Sequence, residues 1–163
     1  MTTAKISVSQ VEDAAHRYWR ILVEKLANQM AAFYSYDAVV FNPFSPRLEP
    51  GRVSAARKER EYFGPQTKFR AEISGPVNVQ LLSDTIAVAS YQFHWQASNM
   101  EQKILGKKFD KAVRDGRATQ VFVLNPEGKL LIVSEHLSDI WRDDKYDGPG
   151  ATTGAKKSFS STP

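Results

Sequence analysis

His136, Gln120 and Ser134 are the side chains whose types and spacing best suit proton chemistry in this sequence. An imidazole with an unperturbed pKa of about 6.5 can give or take a proton at neutral pH, and an amide and a hydroxyl can donate to or accept from a ligand oxygen. They come together only if the segment from Gly116 to Asp139, GRATQVFVLNPEGKLLIVSEHLSD, folds as a hairpin. Asn125-Pro126-Glu127-Gly128 predicts a type I turn, with Pro where φ near −65° is wanted and Gly free to take the left-handed value that closes a bulged hairpin. With Asn125 opposite Lys129, a regular ladder sets Phe122 against Ile132, Gln120 against Ser134 and Ala118 against His136 on one face. The other face then pairs Val123 with Leu131, Val121 with Val133, Thr119 with Glu135 and Arg117 with Leu137. Near the turn both faces are apolar, which predicts a sheet covered on both sides. Farther out both become polar, making Gln120, Ser134 and His136 the expected lining of a pocket. The bland alternative for His136 is a structural histidine at the sheet edge, and for Glu135 an outer-face ion pair with Arg117 or a partner chain.

The elements that must hold these residues read as helices first and strands afterwards. Val11, Ala14, Ala15, Tyr18, Leu22 and Leu26 recur at helical spacing from Val8 to about Asn28, with Ser9 as N-cap and Glu12 completing a capping box. Trp19 and Val23 widen that apolar stripe toward a sheet. Tyr18 is either an amphipathic core residue or a donor aimed into a cavity. A short helical piece follows at Gln29 to Tyr34, then a strand at Ala38 to Phe41 that Asn42-Pro43 stops, then a helix from Ala55 to Phe63 capped by Ser54 and carrying Tyr62. A strand begins near Phe69 and bends at Gly75-Pro76; Val77, Val79 and Leu81 alternate beyond it. After a turn at Ser83-Asp84, Ile86 to Gln96 returns with Ala87, Ala89, Tyr91, Phe93 and Trp95 on one face and His94 on the other, facing either the cavity or a dimer partner. Helices followed by antiparallel strands make the fold class α+β. Residues 8–143 form one domain, with tails at 1–7 and 144–163.

Composition narrows the function. A chain of 163 residues with 42% hydrophobic and 25% charged residues suits one soluble globular domain. It has no cysteine, so thiolate catalysis, disulfides and cysteine-ligated metal are excluded, and its three histidines show no metal-ligand spacing. No cofactor motif is present. The start MTTAKISVSQ lacks the apolar stretch of a secretory signal and no run is long enough for a membrane span, so a cytoplasmic protein is expected. A net charge of +4 raises the question of an anionic partner. Lys103 to Arg117 is rich in basic residues, but Phe109 is its one aromatic residue and Asp110 and Asp115 dilute it. That argues against nucleic acid and for a charged pocket rim.

Three stretches carry a family resemblance. Tyr34-Ser35-Tyr36-Asp37-Ala38-Val39-Val40-Phe41-Asn42-Pro43, then Gly51-Arg52 at a helix start, and finally Arg117-Ala118-Thr119 with Gly128 and Ser134-Glu135-His136-Leu137-Ser138, resemble the SnoaL-like branch of the nuclear transport factor 2-like superfamily. Leu130 departs from a final hairpin that often carries Trp. The resemblance implies a curved antiparallel sheet wrapped by helices into a cone, a pocket in its mouth, and a homodimer through the outer sheet face. Set against the ketosteroid isomerase branch, Tyr18 falls near the oxyanion donor, Asn42 where the carboxylate base stands and Gln120 where a protonated Asp stands. An amide cannot abstract a proton, so Asn42 breaks the usual mechanism. Asp37 could supply a base by turning inward, though an Asp just before a strand more often turns the backbone.

The expectation is therefore a small-molecule-binding domain performing isomerase-, cyclase- or dehydratase-type proton transfer on an apolar carbonyl or carboxylate compound. Tyr18 and His136 are the catalytic candidates; Trp19, Asn42, Tyr62, His94, Gln120 and Ser134 are the ligand-binding ones. The competing expectation is a non-enzymatic ligand-binding or assembly domain on the same fold.

Overall fold

The computed structural model describes residues 5–42, 48–57, 67–99, 103–104, 107–108 and 111–142. Helix α1 runs Val8–Val23, and its start is set by Ser7 rather than Ser9: Ser7 Oγ accepts from the Gln10 amide at 3.3 Å while Gln10 Oε1 accepts from the Ser7 amide at 2.9 Å. Ile6, expected in a tail, is buried, and its amide donates to the Asp84 carbonyl. The helix stops short of Asn28 because Lys25 takes a left-handed φ of 55°, from which it reaches the Thr67 carbonyl with Nζ at 2.6 Å. Its buried face is Val11, Ala15, Tyr18, Trp19, Ile21 and Leu22. Helix α2 is Ala27–Ala31 and helix α3 is Gly51–Arg57.

The strands are β1 Tyr34–Phe41, β2 Glu49–Pro50, β3 Lys68–Ile73, β4 Asn78–Leu81, β5 Ile86–Ser98, β6 Lys103–Ile104, β7 Lys107–Lys108, β8 Lys111–Leu124 and β9 Leu130–Arg142. Seven of them form a curved open sheet in the order β2-β1-β9-β8-β5-β3, with β4 also on β5; β6 and β7 pair separately. The class is α+β as expected, with one refinement. β1 pairs with β9 in parallel, while every other pairing among the described strands is antiparallel. The core lies on the face that α1 and α3 cover. Ala87, Ala89, Tyr91, Phe93, Trp95 and Ala97 of β5 meet Ala118, Gln120 and Phe122 of β8 there, and all are buried.

The β8–β9 turn is as the sequence dictates: the Asn125 amide donates to the Lys129 carbonyl at 2.9 Å and Gly128 has φ 77°. Leu124 opposes Leu130 and Phe122 opposes Ile132. The ladder then slips by one residue, because Val133 is an extra residue in β9 and Val121 opposes Ser134. Side chains alternate with period two, so one extra residue exchanges the faces of everything beyond it. The expected pairings Gln120–Ser134 and Ala118–His136 are thereby corrected to Gln120–Glu135 and Ala118–Leu137. Glu135 turns into the core and His136 turns out.

Candidate functional site

A chain of hydrogen bonds crosses the inner face of the sheet and ends on Glu135. Trp19 Nε1 donates to Tyr91 Oη at 3.1 Å, Tyr91 Oη donates to Gln120 Oε1 at 3.0 Å, and Gln120 Nε2 donates to Glu135 Oε2 at 2.8 Å. On the other carboxylate oxygen, Oε1 accepts from Tyr18 at 3.0 Å and from Tyr34 at 2.9 Å. The two phenol oxygens lie 3.3 Å apart. Each phenol has one hydrogen, and a carboxylate is the stronger acceptor, so both hydrogens go to Glu135 and the phenol–phenol approach is a contact between oxygens. The same logic fixes the Gln120 amide, whose NH₂ must face the carboxylate.

Tyr18, Tyr34, Gln120 and Glu135 are all 0% exposed. Burial, and after it the charge of Glu135, pushes the phenols of Tyr18, Tyr34 and Tyr91 well above the ordinary tyrosine range, so all three stay protonated donors. Packing holds them in place. The Tyr18 ring meets Trp19, Phe33 and Tyr34 edge-on, with centroids 5.6, 5.9 and 6.5 Å away. Gly51, at the start of α3, leaves room for Tyr34: a Cβ there would sit 2.6 Å from Tyr34 Cδ1. Close approach of a ring is thus what the Gly of Gly51-Arg52 serves.

A second buried polar cluster lies where α3 meets the sheet edge. Asn42 Nδ2 donates to Glu49 Oε2 at 3.2 Å and to Ser54 Oγ at 3.3 Å. Val40 pairs with both Glu49 and Glu135, so one row across the inner face reads Glu49, Val40, Glu135, Gln120, Ala89. Asn42 is therefore an inner-face residue, engaged with a carboxylate rather than replacing one without trace.

Of the residues singled out from sequence, Tyr18, Trp19 and Gln120 meet in one network, and Asn42 stands in the neighbouring cluster. His136 is exposed on the outer face, its ring 5.8 Å from that of Phe41, and Ser134 is half-buried on that same face. His94 is also on the outer face, with Nδ1 2.7 Å from Asp115 Oδ1. Tyr62 lies outside the described residues. Sequence reasoning missed Glu135, Tyr34 and Tyr91. The latter two sit at inward positions of apolar strands, and their hydroxyls were the available signal, since a buried phenol needs an acceptor. Among the described residues no group of His, Asp and Glu could hold a metal ion. Among them, too, no helix is long and apolar enough to cross a membrane.

No protein-family model and no curated protein matches the sequence. Solved structures do match the fold. A nuclear transport factor 2-like superfamily protein from Salmonella enterica serovar Typhimurium aligns with TM-score 0.65 and 16% identity, over 87% of this chain and 95% of that one. A candidate calcium/calmodulin dependent protein kinase II association domain from Xanthomonas campestris aligns with TM-score 0.63 and 22% identity, over 86% and 97%. A candidate scytalone dehydratase from Novosphingobium aromaticivorans aligns with TM-score 0.62 and 14% identity, over 83% and 85%. The helices stacked on one face of a curved sheet, the strand order and these alignments agree: the chain has the nuclear transport factor 2-like fold.

Proposed function

We propose that this domain binds a small apolar carbonyl compound against the inner face of its sheet and moves a proton on it, in a reaction of the isomerase, cyclase or dehydratase type. The observation that carries this reading is the Glu135 carboxylate, fully buried and held by Tyr18, Tyr34 and Gln120. Burying a carboxylate costs several kcal/mol that an apolar side chain of similar size would not, so a core built only for packing gains nothing from it. In the proposed role Glu135 takes and returns the proton in place of His136. Tyr18 and Tyr34, kept protonated, turn their single hydrogens from Glu135 Oε1 to the ligand oxygen on which charge develops, which frees that carboxylate oxygen to take the proton, and Gln120 aims the carboxylate. A ligand carboxylate is disfavoured beside it: two like charges 4 Å apart repel by about 4 kcal/mol at an effective dielectric constant of about 20. That repulsion selects the carbonyl.

A second reading, an assembly domain, has its own observation. At the hairpin end of the outer face, Val88, Val121, Val123, Leu131 and Val133 are half-buried, flanked by exposed Val39 and Ile86, and no other part of the described chain covers them. This apolar patch suits a homodimer contact. Fold neighbours include the association domain above and a hub homology domain, and both names speak of assembly in those proteins.

One experiment separates the two. Deuterium incorporation from D₂O into the α-carbon of a panel of cyclic and aromatic ketones is followed for the wild type and for Glu135→Gln, with dimerisation measured in parallel by sedimentation. The catalytic reading expects exchange that falls by roughly 10²–10⁴-fold in the variant at an unchanged association constant. Exchange at the solvent rate for every ketone, with dimerisation intact, leaves the assembly reading standing alone.

A further inference from the structure

The outer sheet face divides along the strands. At the hairpin end the row Ile86–Val123–Leu131 is apolar and the next, Gln80–Val88–Val121–Ser134, is apolar at its centre; the following rows are polar, running Asn78–Ser90–Thr119–His136 and Gln92–Arg117–Ser138. Over them the chain bends at Gly75, φ 103°, and Pro76, pinned by the Ser74 amide donating to the Gln92 carbonyl at 2.9 Å. The bend and the strands border an open groove of about 390 Å³ with the exposed side chains of Ser74, Asn78, Ser90, Gln92, Arg117 and Thr119 on its walls. This lies within the size range of small-molecule sites, about 300–1,000 Å³.

Its chemistry is one-sided. Arg117 supplies a guanidinium, the other five supply hydroxyls and amides, and no carboxylate lines the groove. No described residue forms an ion pair or hydrogen bond with the Arg117 side chain. The carboxylate two positions away on the same strand and face, Asp115, is bound by His94 instead. A planar cation in a concave setting, with its nearby acid engaged elsewhere and hydroxyls around it, matches a planar or tetrahedral oxyanion.

We infer that this groove is a second binding site, for a small molecule that presents a carboxylate or phosphate to Arg117 and hydroxyls to Ser90, Asn78 and Thr119. It is separate from the inner-face reading and does not depend on it. A nucleic acid does not fit the same residues, since one cation and no exposed aromatic ring cannot track a backbone of phosphates.

The test is a titration of the ¹⁵N-labelled full chain with inorganic phosphate, malonate and glycerol 3-phosphate. Saturable shifts are expected at the Arg117 Nε–H and at the amides of Ser90, Gln92 and Thr119, with glycerol 3-phosphate binding more tightly than phosphate. Arg117→Gln should weaken all three by about tenfold or more. Thr119→Val should weaken only glycerol 3-phosphate, and Glu135→Gln should leave the titration as it is, which keeps this site distinct from the inner one. Linear shifts, or shifts that persist in Arg117→Gln, overturn the inference. So does an Arg117→Gln variant whose self-association changes while the anions leave these resonances unmoved, because the face would then be a contact between copies.

Discussion

Gln120 stands opposite Glu135 on adjacent antiparallel strands and donates to its carboxylate at 2.8 Å, both side chains lying on the covered face of the sheet. The pair ties β8 to β9 through side chains as well as backbone. With Tyr18 from α1 and Tyr34 from β1, it also ties the helix layer to the sheet. Replacing Glu135 by Leu should strand three buried donors and destabilise the domain by roughly 3 kcal/mol or more. Tyr34→Phe removes a single bond to a charged acceptor and should cost about 1.5–3 kcal/mol. Urea unfolding followed by tryptophan fluorescence measures both.

Deleting Val133 should be milder than any substitution in the network. The deletion removes the one unpaired residue, so Val121 still opposes Ser134, Gln120 still opposes Glu135, and Glu135 stays inward and His136 outward in an unbroken ladder. The expected outcome is a cooperatively unfolding domain with a well-dispersed ¹H–¹⁵N spectrum, changed near the bulge because the local bend and twist of β9 are lost. Collapse of the amide dispersion would show that the bulge is needed for the course of β9 itself and not only for its facing.

Gly51→Ala should destabilise by roughly 1–3 kcal/mol through overpacking, because the new Cβ lands on the Tyr34 ring. Combined with Tyr34→Ala, the Gly51→Ala penalty should largely vanish, since the ring it strikes is gone. A double-mutant cycle in urea reports the coupling, and additive losses would disprove the contact as the cause.

Stability should fall steeply in alkali. Tyr18, Tyr34 and Tyr91 have folded pKa values raised by burial and by Glu135, whereas the unfolded chain releases these protons near the ordinary tyrosine value of about 10. The folded state therefore holds more protons above that pH. The contribution is complete below pH 10 and is lost as pH rises beyond it, by about 1.4 kcal/mol per pH unit for each tyrosine. Urea midpoints from pH 8 to 11 test this, and the triple Phe variant should show a shallower decline.

Val123→Lys should dissociate a dimer built on the outer face. It sets a charge among half-buried apolar side chains and should weaken association by at least about tenfold while leaving the monomer folded, because Lys can extend its charge into water. Sedimentation across a concentration series gives the constant.

Much of the fold was legible because it rests on local rules. The α1 stripe, the Asn125–Gly128 turn, the inward row of β5 and the α+β order all follow from periodicity and turn chemistry. The N-cap was read two residues late because Ser7-x-x-Gln10 and Ser9-x-x-Glu12 both fit a capping box, and only the path of Ile6 toward Asp84 separates them. The parallel β1–β9 pairing joins residues roughly a hundred positions apart, and no local pattern announces it.

By itself the sequence determined that Tyr18, Trp19 and Gln120 would be inward-facing polar or aromatic groups, since each lies in phase with apolar neighbours of its own helix or strand. Only the tertiary structure decided which acceptor they share. A bulge at Val133 needs neither Gly nor a positive φ, and none occurs there, so nothing in residue type marks it. It is set by how β9 must lie between β8 and β1, and that one unpaired residue gives the buried site Glu135 in place of His136.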